Sequence, residues 1–185
     1  MSKVTAFFAQ GTEEVECLSV VDILRRCGVE VQLVSMSGDR QVTGSHNITV
    51  VADTIFEEAD FDDSDMLFLP GGMPGVKNLT AHEGLAALLK KFDAEGKRIA
   101  AVCAAPSVLG LLGLLDGKRA TCFPGWEDKL LGAEYTVAGV TTDGNISTGR
   151  GLGTSIDLGI EMVRLLEGEE KAADIKKRIQ HPDTI

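Results

Sequence analysis

The sequence predicts an α/β sandwich, a mostly parallel sheet covered by helices on both faces. Three observations carry this. The runs Val4–Phe8, Met66–Leu69 and Lys97–Val102 are nearly continuous in apolar residues at their cores, as strands buried on both faces are. Segments of helical period separate them. Alternation of the two element types is the pattern of a parallel sheet with crossover helices.

Taken in order, Val4–Phe8 is a strand stopped by Gly11, and a helix opens at Glu13-Glu14 and runs to about Cys27. Val15, Leu18, Val21, Ile23 and Leu24 are its expected apolar face, and Arg25-Arg26 complement the macrodipole at its end. Gly28 ends the helix, and Val29–Ser35 alternates as the next strand, completing a β-α-β unit. Gln41–Thr43 and Asn47–Val51 read as a small hairpin around Gly44-Ser45. Residues 56–65 form an acidic connection. The strand Met66–Leu69 stops at Pro70-Gly71-Gly72, a loop continues through Met73-Pro74-Gly75, and a helix is expected from about Glu83 to Glu95. Lys97–Val102 is a strand that delivers Cys103 to a helix opened by Pro106. Short segments follow, with Asp143-Gly144-Asn145 as a hairpin turn into Ile146–Thr148. A helix from about Thr154 to Leu166 and a charged helix from Glu169 to about Arg178 close the chain, read as one domain over 1–185.

Composition narrows the function classes. A formal net charge of −10 argues against a general nucleic-acid binder, which needs a basic surface. No apolar run is long enough to span a bilayer, and the N-terminal residues lack the pattern of a signal peptide. Cys17, Cys27, Cys103 and Cys122 are scattered without a C-x-x-C pair, which suits free thiols in a reducing cytoplasm. The spacing of His46, His82 and His181 suggests no metal, and no cofactor is expected.

In an open sheet of this kind ligands sit at the carboxyl ends of the strands. Gly11–Glu16, Pro70-Gly71-Gly72 and Cys103 all fall there. Ala101 and Ala105 flank Cys103 as small residues flank the nucleophile of an elbow turn, and a helix N-terminus beyond it would favour a thiolate. A reactive thiolate also needs donors for a developing oxyanion, which the N–H groups of Gly72 and Ala104 are placed to supply. Gly71-Gly72 alone is equally a tight turn, and a carboxylate in the first turn of a helix is most often a solvated partner of the dipole.

The blocks Gly11–Glu16, Val21–Gly28, Leu69–Gly72, Ala101–Pro106 and Arg150–Ser155, in this order along essentially the whole chain, resemble the ThiJ/PfpI family and within it the DJ-one-like branch. The resemblance implies a flavodoxin-like fold, a homodimer, Cys103 as a reactive and easily oxidised cysteine, and Glu16 as the carboxyl hydrogen-bonded to it. It also implies cofactor-free conversion of methylglyoxal to lactate or removal of early glycation adducts, with redox sensing or chaperone-like protection as the alternative. Three positions, Phe123, His46 and Met73, depart from the family pattern. Phe123 stands where some relatives carry a histidine beside the cysteine, which weakens a peptidase or amidase reading. His46 stands where an arginine is usual, as a candidate anion-binding or proton-transfer residue. Arg26 is a candidate for reaching the partner subunit's pocket, and Met73 for shaping the pocket rim.

Overall fold

The computed structural model describes residues Met1–Ile185. Its sheet has seven strands: β1 (Lys3–Phe8), β2 (Glu30–Ser35), β5 (Thr54–Ile55), β6 (Met66–Leu69), β7 (Arg98–Val102), β10 (Val140–Asp143) and β11 (Ile146–Gly149). Their spatial order is β10-β11-β7-β6-β1-β2-β5, and every pairing is parallel except β10 with β11. The hairpin expected around Gly44 is present as β3 (Gln41–Thr43) against β4 (Thr49–Val51), outside the main sheet. Two further short strands, β8 (Arg119–Ala120) and β9 (Glu134–Tyr135), pair with each other.

Side chains alternate across the sheet and feed two apolar cores. Val4, Ala6 and Phe8 of β1, Met66 and Phe68 of β6, and Ala100 and Val102 of β7 enter one core. There they meet α1 (Glu14–Arg26), α5 (Ser155–Glu167) and α6 (Glu169–Arg178). Phe7, Leu67, Leu69, Ile99 and Ala101 point the other way. They pack on α2 (Gly75–Ala81), α3 (Glu83–Ala94) and α4 (Pro106–Leu111). Helix, sheet and helix make three layers, the flavodoxin-like class.

Two expectations are corrected. The chain after Met73-Pro74 is not a plain loop: α2 begins at Gly75, stacked on the sheet through buried Val76 and Leu79. Val15 and Leu18 do not face inward, being 50% and 37% exposed, and α1 instead buries Cys17, Val20, Val21, Ile23 and Leu24. The inward stripe is therefore rotated, and it puts Glu14 and Glu16 inside at the first turn. Ile156, on the opening turn of α5, is also exposed.

Candidate active site

Strands β1, β6 and β7 are neighbours, so the loops leaving their carboxyl ends meet over the same edge of the sheet. Parallel strands lie about 4.8 Å apart, which brings residues distant in sequence within side-chain reach. The first loop leads into the opening turn of α1, which supplies Glu16; the second supplies Gly71 and Gly72, and the third Cys103.

Cys103 is at a strand-to-helix corner with φ of +64°, a left-handed conformation uncommon for a residue with a Cβ. Both of its backbone polar groups are fixed: its N–H donates to the Gly149 carbonyl at 2.9 Å, and its carbonyl accepts from the Phe123 N–H at 2.8 Å. Such a conformation persists where the surroundings over-determine it. The effect is to lift the thiol out of the core while leaving it half-buried.

Glu16 is 2% exposed. Glu13, which caps α1, holds that turn by accepting the Glu16 N–H at 2.6 Å, and its own N–H donates to the Gly71 carbonyl at 2.9 Å. The Gly71 N–H in turn donates to Glu16 Oε2 at 3.0 Å. Gly71 fills the gap between acid and thiol. A Cβ there would lie 2.6 Å from Cys103 Cβ and 2.6 Å from Glu16 Oε2, so no other residue fits without displacing one of them. Gly72 adopts φ of +90° and a Cβ on it would lie 2.2 Å from the Glu13 backbone nitrogen.

Burial pushes the Glu16 carboxyl up to about 7, reinforced by the charge of Glu13 and opposed by hydrogen bonding to Cys103 and to the Gly71 and Leu152 backbone. Burial, then the charge and hydrogen bonding of Glu16, push the Cys103 thiol up to about 12, while the Ala104 and Gly72 backbone N–H groups pull it down. This reverses the expectation that a helix terminus lowers the thiol. The reason is that burial of the thiol, with the facing Glu16 carboxyl adding to it, outweighs the backbone donors at the start of α4. Thiol and carboxyl form one coupled pair. When the single remaining proton is on Glu16, the repulsion acting on the sulfur is gone and two N–H groups are left to hold a thiolate.

A model of the DJ-1/PfpI family matches residues 2–165. The chain belongs to the DJ-1/PfpI family. It is 38% identical over 175 residues to protein DJ-1 homolog B of Arabidopsis thaliana, covering 94% of this chain and 40% of that one. The chain thus spans less than half the length of that relative. To a deglycase of Pyrococcus abyssi it is 34% identical over 167 residues, covering 89% of this chain and 99% of that protein. Among solved structures, oxidized Toxoplasma gondii DJ-1 superposes with a TM-score of 0.93 at 32% identity, covering 97% of this chain and 98% of that one.

Within this DJ-1/PfpI site the structure brings together Cys103, Glu16, Gly71, Gly72 and Ala104, but not Arg26 or His46. Arg26 is at the far end of α1, about 15 Å along the helix from Glu16, and pairs with Asp22 on the surface. His46 projects from the β3–β4 hairpin onto two carboxylates, with Nδ1 3.2 Å from Glu14 Oε2 and 3.5 Å from Glu13 Oε1. An anion has no welcome beside that pair, so the anion-binding expectation for His46 is set aside. Glu14, missed in the sequence, clamps the hairpin: buried, it accepts the backbone N–H groups of His46 at 2.8 Å and Ile48 at 3.3 Å. The only sequence signal was the density of acids in Glu13-Glu14-Val15-Glu16. Phe123 approaches Cys103 through its backbone N–H, and its ring is half exposed at the site's edge beside Gly151. The remaining thiols are structural in setting: Cys17 and Cys122 are fully buried, and burial also raises Cys27. No helix is long and apolar enough to cross a membrane.

Proposed function

We propose that the chain is a cofactor-free glyoxalase or deglycase that acts on methylglyoxal or early glycation adducts through Cys103. The observation that carries this reading is the convergence on one half-buried sulfur of the Glu16 carboxyl and the Gly72 and Ala104 N–H groups. The deglycase relative in Pyrococcus abyssi supports the same class.

The thiolate attacks the aldehyde carbon, forming a C–S bond as the carbonyl π electrons move to oxygen. Glu16 gives its proton to that oxygen and a hemithioacetal results. As a carboxylate, Glu16 then removes the proton from the former aldehyde carbon and returns it to the neighbouring carbon through an enediolate, while the hydroxyl proton passes from the first oxygen to the second. This leaves a lactoyl thioester. Water cleaves the thioester, giving lactate and the free thiol. One water is consumed and no net oxidation occurs, so no redox partner is required. The Gly72 and Ala104 N–H groups serve as oxyanion donors.

Two further parts of the reading concern assembly and setting. Val15, Leu18, Asp22 and Arg26 make an exposed stripe on α1 at helical spacing, and exposed Ile156 shares a shallow cavity with Asp22 and Arg26. That partly apolar strip supports a homodimer in which Arg26 serves the partner subunit's site. Four unpaired cysteines support a reducing, cytoplasmic setting. The second reading is an oxidative-stress sensor, favoured by the exposure of Cys103 where Cys17 and Cys122 are buried: oxidation to sulfinate would compete with aldehyde chemistry at the same sulfur.

The test is turnover of a panel of small dicarbonyls by the native protein and Cys103→Ala. Loss of methylglyoxal consumption in the variant is expected. Equal consumption by both would overturn the enzyme reading, and peroxide-dependent protection of a client protein without aldehyde turnover would favour the sensor.

A further inference from the structure

A cavity opens where the helices that follow the Gly71-Gly72 loop and Cys103 meet. It has a volume of about 380 Å³ and lies between α2, α4 and the segment carrying Trp126. That size is at the lower end of small-molecule pockets, which run from roughly 300 to 1,000 Å³. Its walls are apolar: Met73, Val76, Leu111 and Trp126, of which Met73 and Leu111 are 48% and 51% exposed.

Its polar groups are the informative part. The hydroxyls in the wall are committed to backbone, since Ser107 donates to the Ala104 carbonyl at 2.6 Å and Thr80 to the Val76 carbonyl at 2.8 Å. The charged residues of its lining are two lysines, Lys77 and Lys129, both exposed at the rim and within side-chain reach of the opening, and no carboxylate lines the cavity. Neither lysine is in an ion pair, unlike Lys3, Lys91, Lys171 and Lys176. In a chain of net charge −10, a cavity with two unpaired cations and no acid is an exception in the protein's own field.

We propose that this cavity binds a small amphipathic monoanion, an alkyl or aryl carboxylate. Its hydrocarbon body lies along Met73, Leu111 and Trp126, and its carboxylate meets Lys77 and Lys129. Apolar walls that fix the body and a few polar groups that fix the head are the general form of such sites. The proposal does not depend on the chemistry at Cys103, although Met73 follows the Gly72 donor directly and Ser107 is four residues beyond the thiol.

Trp126 is the only tryptophan in the chain, so the cavity carries its own reporter. Sodium octanoate is expected to change Trp126 fluorescence saturably, while octan-1-ol at equal concentration binds at least about 10-fold more weakly. Lys77→Gln with Lys129→Gln should weaken octanoate at least about 5-fold, and Leu111→Asp, at an exposed position, should abolish saturation. Cys103→Ala should bind octanoate as the native protein does, which separates this site from the proposed reaction. Equal binding of octanoate and octan-1-ol, or a linear signal without saturation, would overturn the proposal. So would a Trp126 emission shift that follows protein concentration without added octanoate, because a second copy of the chain would then fill the groove.

Discussion

Cys17 and Cys103 both lie close to Glu16, yet they occupy opposite chemical settings. Cys17 follows Glu16 in α1, is wholly enclosed in the core, and burial with the charges of Glu16 and Glu13 drives its thiol far above the usual range. Cys103 feels the same carboxyl and is also raised, but it has the Ala104 and Gly72 N–H groups on its sulfur and an opening to solvent. Proximity to an acid therefore does not make a thiol reactive. Backbone donors and access distinguish the two, and both come from the left-handed corner at Cys103.

The strongest way to break this contrast is to exchange sulfur for oxygen at each site. Cys103→Ser should lower kcat/KM for methylglyoxal by at least about 1,000-fold, as expected for loss of a nucleophile. Cys17→Ser should leave it within about 3-fold while destabilising the fold by about 1–3 kcal/mol, because a buried hydroxyl without a partner is costly. Steady-state assays and thermal melts read both; comparable activity losses would erase the distinction.

Glu16→Gln comes next, with a fall in kcat/KM of about 100-fold or more, the size of a general acid–base contribution. The native rate should climb about tenfold per pH unit below about 7 and level off above it. The pair then changes from two protons to one, and the form with a thiolate beside a protonated Glu16 becomes available. Glu16→Gln should lose that inflection, and a profile with the inflection intact would remove Glu16 from the mechanism. A smaller effect, about 10-fold, is expected for Gly71→Ala, whose added Cβ must displace either the thiol or the acid.

The last prediction concerns stability. The folded-state value for Glu16 is raised from 4.5 to about 7, so its contribution is fully favourable below about 4.5 and is lost as pH rises through about 7. At pH 8 the loss approaches about 3 kcal/mol at most. Glu16→Gln should thus melt several degrees higher than the native protein at pH 8, at roughly 2–4 °C per kcal/mol, with little gain at pH 4.5. An equal melting temperature at pH 8 would mean that Glu16 is not held against its ionisation.

Much of the fold was legible because burial on both faces writes itself as apolar runs, and Met66–Leu69 and Ile99–Val102 appear where those runs stand. The rotated face of α1 was not legible. Val15 and Leu18 look like core residues and Glu14 and Glu16 like surface ones, and long-range partners invert both. Glu14 is bound by hairpin N–H groups more than thirty positions away, and Glu16 by the Gly71 N–H, 55 positions away. Composition within a single helix holds no trace of those partners. The helix Gly75–Ala81 was hidden for a different reason: it starts beside Pro74 and spans just seven residues, too few for its period to stand out. Cys103 itself was legible from the small residues around it, but the sign of its shift was not, since that depends on the carboxyl facing it.

The adjacency of β1, β6 and β7 has a consequence for how the chain acquires its chemistry. Glu16, Gly71 and Cys103 belong to three separate crossover units, and none can find the others until the middle strand has been inserted between its neighbours. Non-local pairing of this kind forms late, after its loop-closure entropy has been met. During synthesis or refolding, the thiol is an ordinary cysteine until the sheet is assembled. The reactivity of Cys103 toward an alkylating agent is accordingly set by topological completion, and not by secondary-structure content alone.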